Sequence, residues 1–195
     1  MTFSRRTFLA ASTAAVFPLP ALALNTAEAK SLVDKLVDQI NRVIDSGKSE
    51  SAMYGDFERI FRQFGDISYI AAYAMGVDGR RASTSQKKAF TDAFTGYISR
   101  KYGKRFREFI GGRLEVQGSK SVKNYYEVTT TAFLRGEAPF EVNFHVSDRT
   151  GKDLFFNIYI DGINMLLTER TEVGAMLDRR RGDIDAMIAD LRKAG

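Results

Sequence analysis

The chain contains no cysteine and no tryptophan, and it has one histidine and three prolines among its 195 residues. Without cysteine there is no disulfide, no thiolate zinc site and no N-terminal cysteine to carry a lipid. The single histidine, His145, gives neither a metal-ligand cluster nor a Ser-His-Asp triad with support in the sequence. Stability must therefore come from the apolar core, and we expect no metal and no cofactor.

Long apolar runs are also missing. The stretch from Thr7 to Phe17 is broken by Pro18 and Pro20, which is too short for a spanning helix of about 20 apolar residues. Residues 76–79 read Gly-Val-Asp-Gly, which lacks the spacing and the lysine of a phosphate-binding loop. The formal net charge of +5 is too small to indicate nucleic acid as a partner.

Residues 1–23 have the pattern of an export signal. Arg5 and Arg6 precede Phe8 and Leu9, an alanine-rich apolar run follows, and small residues at 21–23 suit a cleavage site. Paired arginines indicate the twin-arginine route, and an ordinary secretory signal with two arginines is the alternative. Cleavage would leave residues 24–195 as a single domain, exported, soluble and not lipidated.

The first half of the remaining chain has helical periodicity. Apolar stripes run from Val33 to Ile44 and from Met53 to Phe64, and residues 67–76 are apolar nearly all round. Ser83 and Gln86 fit a capping box at the start of a long helix. The stripe of that helix holds Phe90, Phe94, Tyr97, Ile98, Tyr102, Phe106 and Phe109.

After Gly111-Gly112 the apolar residues recur at every second position. Residues 114–161 alternate as strands, and a turn at 148–152 separates two runs. In the last strand, Phe156, Ile158 and Ile160 are predicted to share one face. Helices return at 165–179 and after Asp183 as N-cap. The order predicts an α+β fold in which helices pack on a twisted antiparallel sheet of about four strands.

Candidate chemistry outside the core is weak. His145 lies on the polar side of its strand, which predicts a surface histidine, and Asp153 with Asp161 would be a carboxylate pair only if the fold brought them together. Two basic groups have two readings, as solvated helix faces or as docking sites for an acidic protein or anionic lipid. These groups are Arg100, Lys101, Lys104, Arg105 and Arg107, and Arg179-Arg180-Arg181.

Aromatic residues are plentiful, with fifteen phenylalanines and eight tyrosines. They fall on stripes that would face an apolar sheet. A filled core and a hollow core holding an apolar ligand are both compatible with this composition.

Two segments of the chain carry a series of short motifs. The first holds Phe57-Glu58-Arg59-Ile60-Phe61, Phe64-Gly65-Asp66, the apolar helix ending in Gly76, and Ser83 with Gln86 and Phe90. The second runs from Asn157 to Asn164 and continues with Arg170, Gly182-Asp183-Ile184, Ile188 and Leu191. In their order and spacing these motifs resemble the MlaC family of periplasmic phospholipid carriers, also known as the toluene-tolerance auxiliary component. The family's usual Asp, Glu and Ser are replaced here by Asn157, Asp161 and Asn164.

This resemblance implies an NTF2-like fold and a non-enzymatic carrier that buries acyl chains between helices and sheet. It implies phospholipid as cargo and two partners, an inner-membrane MCE-protein ABC transporter complex and an outer-membrane lipoprotein–porin complex, with a role in outer-membrane lipid asymmetry. We expect a monomer and a cavity at or above the upper end of the usual range of about 300–1,000 Å³. The predicted cavity residues are Phe57, Ile60, Phe61, Phe64, Ile70, Tyr73, Phe90, Phe94, Val142, Phe144, Phe156, Ile158, Ile160 and Leu166.

Two other functions remain open from the sequence. An NTF2-like isomerase or dehydratase would need an acid or base inside the fold, and Tyr126 and Thr130 share a strand face with Val128. A periplasmic adaptor that binds only proteins would have a filled, dry interior.

Overall fold

The structure, a computed structural model, describes residues 24–105 and 110–195. The predicted export signal at 1–23 lies outside the described residues, as do Phe106, Arg107 and Phe109. No helix in the described ranges is long and apolar enough to span a membrane.

Within the described residues, six helices and five strands form the α+β class of fold that the sequence predicts. The helices are α1 (Thr26–Ile44), α2 (Glu50–Phe64), α3 (Ile67–Met75), α4 (Thr84–Arg105), α5 (Met165–Arg179) and α6 (Ile184–Leu191), with a 3-10 turn at Gly76–Arg80. The strands are β1 (Arg113–Val122), β2 (Tyr125–Phe133), β3 (Phe140–Ser147), β4 (Leu154–Ile160) and β5 (Ile163–Asn164).

The helix starts follow from local hydrogen bonds. Asn25 and Glu28 form a reciprocal capping box at α1, and Ser83 and Gln86 form the predicted one before α4. Asp183 accepts a hydrogen bond from Ala186 N at 3.0 Å, which confirms it as the N-cap of α6.

The sheet is antiparallel throughout, with its strands in chain order. It has five strands instead of about four, because the chain reverses at Asp161 and Gly162, both with positive φ. It then pairs back on Tyr159 and Ile160 for two residues before α5 begins.

A β-bulge in β4 overturns the simple alternation predicted there. Val146 pairs with Phe155, whereas His145 pairs with Asn157, so Phe156 is the extra residue. Residues directly opposite in neighbouring strands share a face. Phe155 therefore joins Val146 and Phe144 on the inner face, and the ring of Phe156 packs against Tyr125 and His145 on the outer face.

The core lies between the inner face of the sheet and the helices. The buried side of α1 packs on β1, β2 and β3, α5 contacts β4 and β5, and α4 packs against α2, α3 and α6. This arrangement leaves a space between helices and sheet that is not filled by side chains.

Candidate functional site

A cavity of about 420 Å³ lies between the inner face of the sheet and helices α1 to α5. Its wall is mostly aliphatic and aromatic. The volume is in the lower half of the usual ligand-pocket range and below the predicted size. The aromatic ring of Phe155 occupies part of the space between sheet and helices. Its centroid lies 5.9 Å from that of Phe61 and 5.9 Å from that of Phe144.

Ten of the fourteen predicted residues line this cavity. They are Phe57, Ile60, Phe61, Ile70, Val142, Phe144, Phe156, Ile158, Ile160 and Leu166. Phe156 contributes at the bulge, although its ring packs on the outer face with Tyr125 and His145. Their role in binding a ligand remains a prediction.

The other four predicted residues do not line it. Phe90 and Phe94 stack on each other at 5.4 Å and are fully buried on α4, which packs against three other helices. Phe64 is buried away from the cavity. The guanidinium of Arg170 lies over the ring of Tyr73, with its Cζ 5.2 Å from the ring centroid. Sequence periodicity marks a buried face but does not say whether helix or cavity covers it.

Several wall residues were not predicted as cavity residues. Leu36, Ile40 and Tyr102 belong to apolar stripes that the sequence shows. Their burial is therefore predicted, but the sequence does not indicate that they border a cavity. Strict alternation would place Phe155 on the face opposite Phe156, Ile158 and Ile160, but the bulge in β4, which cannot be read from the sequence, turns it inward. Glu169 also lines the cavity, and nothing in the sequence pattern distinguishes it from the other acidic residues of its helix.

Glu169 belongs to a polar cluster between α4 and α5. Its Oε1 accepts hydrogen bonds from Lys101 Nζ at 2.8 Å and from Tyr102 Oη at 2.5 Å. Lys101 also bonds Glu172 Oε2 at 2.7 Å, and Tyr97 Oη donates to the same oxygen. The cluster therefore holds one lysine against two glutamates.

Burial and these carboxylates shift the nearby pKa values. Burial, followed by Glu169, raises the pKa of Tyr102 well above its ordinary value, so the phenol remains a hydrogen-bond donor. Burial also raises the pKa of Glu172, but the hydrogen bonds from Lys101 and Tyr97 outweigh it, and the net shift is downward.

His145 lies on the opposite face of the sheet from the cavity. The face was predicted correctly, but the histidine is buried instead of exposed. The rings of Tyr125 and Tyr159 cover it, with centroids 4.5 and 4.9 Å away. Burial lowers the pKa of His145, although Glu127, 3.4 Å from Nε2, opposes the shift.

The polar groups that could have served as the acid or base of an enzyme do not come together in a site. Thr130 faces inward but donates to the carbonyl of Val142 at 2.8 Å, and Tyr126 donates to the carbonyl of Leu24 at 2.6 Å. Asp153 and Asp161 lie just beyond opposite ends of β4, about 26 Å apart at the usual strand rise. They form no catalytic pair.

The basic residues of α4 are largely occupied within the protein. Arg100 donates to the carbonyls of Leu191 and Ala194 beyond α6, and Lys104 bonds Gly195 O at 2.7 Å. Arg180 forms a two-bond pair with Asp190. The side chains of Arg105 and Arg107 lie outside the described residues.

Asn157 and Asn164, which differ from the family's usual motif, both accept hydrogen bonds from the first turn of α5. Asn164 Oδ1 accepts from Leu167 N at 3.1 Å, and Asn157 Oδ1 accepts from Leu166 N at 3.2 Å. Together they satisfy two free N–H groups in the first turn of α5. The motif thus positions α5 against β4, and with it the wall that carries Leu166 and Glu169.

The MlaC protein family model matches residues 30–193. The chain belongs to the MlaC family. Among solved structures, a protein from Ralstonia solanacearum, described as a phospholipid-binding protein in complex with a phospholipid, has a TM-score of 0.72 at 17% identity. The alignment covers 85% of this chain and 95% of that one. The likeness supports the same α+β fold for this MlaC family member.

Proposed function

We propose that this protein is a phospholipid carrier that holds acyl chains in the cavity between sheet and helices and performs no catalysis. The observation that carries the proposal is the cavity wall itself, to which five helices and four strands contribute apolar side chains. Membership of the MlaC family and the fold of a phospholipid-binding protein support it. Lipid would be cargo and not a cofactor.

The energetics suit a carrier. Each buried CH₂ contributes about 0.8 kcal/mol, so a tail of roughly sixteen carbons costs on the order of 12 kcal/mol to expose to water. A soluble carrier must therefore offer the acyl chain a cavity as apolar as the membrane interior that the chain leaves. Release then requires a partner with a different affinity for the lipid, not a chemical step.

The proposed setting is the periplasm, reached by cleavage of the signal at residues 1–23. There the carrier would exchange phospholipid between an inner-membrane MCE-protein ABC transporter complex and an outer-membrane lipoprotein–porin complex, as a monomer. Replacing Arg5 and Arg6 by lysines tests the export route. Unchanged export of that variant would exclude the twin-arginine assignment.

The direct test is native mass spectrometry of residues 24–195 purified without detergent, followed by solvent extraction. We expect phospholipid at close to one molecule per chain. A mass without ligand that persists after incubation with phospholipid vesicles would overturn the carrier function. That outcome would favour an adaptor or an enzyme.

A further inference from the structure

The residue that follows the predicted cleavage site is held firmly in the fold. Leu24 is 4% exposed. Its backbone N donates to Asp148 Oδ2 at 3.2 Å, and its carbonyl accepts a hydrogen bond from Tyr126 Oη at 2.6 Å. The carbonyl of Thr26 accepts a hydrogen bond from Ser119 Oγ at 2.7 Å. The start of α1 is therefore fixed to β1, to β2 and to the turn between β3 and β4.

Three carboxylates surround this position. Asp148 contacts the nitrogen of Leu24 directly, and Glu28 Oε2 accepts a hydrogen bond from the next backbone N, that of Asn25, at 3.0 Å. Asp153 lies close to the other two carboxylates. Burial first, and then the charges of Glu28 and Asp148, raise the pKa of the Asp153 carboxyl. Negative charge is therefore concentrated where the Leu24 nitrogen lies.

The cations of the neighbouring elements do not neutralise this charge. Lys35 of α1 lines a surface depression together with two of the carboxylates, and Lys152 is exposed in the turn itself. Arg149 follows Asp148 in the chain, but its guanidinium lies over the ring of Phe156 at 4.3 Å. Within residues 24–105 and 110–195, no lysine or arginine forms an ion pair with any of the three carboxylates.

We infer that these carboxylates are the binding site of the N-terminal ammonium that forms when the export signal is removed between Ala23 and Leu24, with Asp148 as its direct partner. This inference rests on the predicted cleavage position and not on the carrier function. Hydrolysis of the peptide bond places the oxygen of water on the carbonyl carbon of Ala23, which becomes a carboxylate. Both hydrogens of water go to the nitrogen of Leu24.

The change converts a neutral contact into a charged one. The N–H that contacts Asp148 in the uncleaved chain becomes an ammonium, and charge-assisted hydrogen bonds are roughly twice as strong as neutral ones. The dipole of α1 opposes the ammonium, because the N-terminal end of a helix carries partial positive charge. Three carboxylates outweigh that partial charge.

The ion pair would fasten α1 in the mature protein. Helix α1 packs on β1, β2 and β3, and it contributes Leu36 and Ile40 to the cavity wall. Removal of the signal thus adds a contact between this wall and the β3–β4 turn that the uncleaved chain does not have.

The ion pair is tested with two proteins released from a cleavable fusion, one starting at Leu24 and one at Ala21. In the longer protein the ammonium lies three residues away, up to about 10 Å along the chain, and the nitrogen of Leu24 is again a neutral amide. Thermal melts of both proteins are recorded as a function of pH.

The sign of the pH dependence follows from the partner. A carboxylate raises the folded-state pKa of the ammonium above its unfolded value of about 8. The added stability is therefore fully present below about pH 8 and is lost as pH rises through the folded pKa. We expect the protein starting at Leu24 to melt about 3 °C higher at pH 7, and the two melting temperatures to converge above about pH 10. The gain is modest because Asp148 is exposed and water screens the pair.

Two substitutions, each made in both proteins, identify the partner. Asp148→Asn removes the charge that contacts the ammonium, so the difference at pH 7 should disappear. Asp45→Asn is the matched control. It removes an exposed carboxylate beyond the other end of α1, about 30 Å away along the helix axis, so the difference should persist.

The pKa of the ammonium gives an independent readout. Acetylation of the N-terminus by acetic anhydride is followed as a function of pH by mass spectrometry of the N-terminal peptide, because only the neutral amine reacts. In the protein starting at Leu24 we expect half-maximal reactivity about one pH unit higher than in its Asp148→Asn variant.

Three results would overturn the ion pair. They are equal melting temperatures of the two unsubstituted proteins at pH 7, a difference that survives Asp148→Asn, and an ammonium pKa that is the same with and without the Asp148 carboxylate. Loss of the difference in Asp45→Asn would also overturn it, because the effect would then come from the overall charge and not from the contact.

Discussion

The guanidinium of Arg170 packs against Gly76 at the end of α3. A Cβ added to that glycine would lie 3.2 Å from Arg170 Nε. The same guanidinium lies over the ring of Tyr73 at 5.2 Å. Two motif segments that are far apart in the sequence thus meet where α3 packs on α5.

This contact predicts that Gly76→Ala destabilises the protein by about 2 kcal/mol. Gly76 has φ 62° and ψ −142°, a backbone region that is costly for any residue with a Cβ, and the added methyl would press on Arg170. Chemical denaturation measures the change. Gly174→Ala within α5 is the control, since a Cβ there meets no atom within 4 Å, and that variant should be neutral or slightly stabilised.

Removing and replacing the hydrogen-bond acceptor that Asn157 of β4 gives to the first turn of α5 should have different outcomes. Asn157→Ala leaves the N–H of Leu166 without its acceptor in a buried setting, which should cost about 1–2 kcal/mol of unfolding free energy. Asn157→Asp keeps an acceptor oxygen near a helix N-terminus and should retain most of the stability. Equal destabilisation by both changes in a denaturant titration would show that the cap is not the cause.

Filling the cavity should reduce lipid binding without unfolding the protein. Ile160→Trp adds volume to the wall without adding charge, so we expect bound phospholipid per chain to fall several-fold in solvent extracts. Val77→Trp enlarges an exposed side chain on the 3-10 turn, away from the cavity, and should bind as the wild type does. Full lipid occupancy in a folded Ile160→Trp protein would mean that lipid lies elsewhere.

His145 predicts a loss of stability in mild acid. Burial lowers its pKa in the folded protein, so the unfolded chain takes up the proton first as pH falls below about 6.5. The contribution is present above that pH and is lost as pH falls through the folded value. His145→Gln should therefore lose less stability than the wild type between pH 7.5 and 5.5 in thermal melts, and identical losses would contradict the burial argument.

Much of the fold could be predicted from local patterns. The limits of α5 and the N-caps of α4 and α6 follow from residues within a few positions, because capping and periodicity are short-range effects. The sheet region followed from alternation in the same way. The short fifth strand could not be predicted, because it depends on a reversal at Asp161 and on pairing with Tyr159 and Ile160.

The candidate site was predictable only in part. The sequence identified which side chains avoid water, and ten of the predicted cavity residues do line the space. Phe90 and Phe94 have the same periodicity but are covered by neighbouring helices. Burial looks alike in a sequence whether the cover is a side chain or a ligand.

By itself, the sequence determined the helices, the four longer strands, most of the apolar faces and the resemblance to the MlaC family, since each depends on residue type and spacing. Only the tertiary structure decided that a bulge turns Phe155 inward and Phe156 outward, and that Glu169 is buried beside the cavity. The physical reason is that both depend on which distant segments meet. Strand register and the position of α5 beside the cavity are set by the whole core and not by any local pattern.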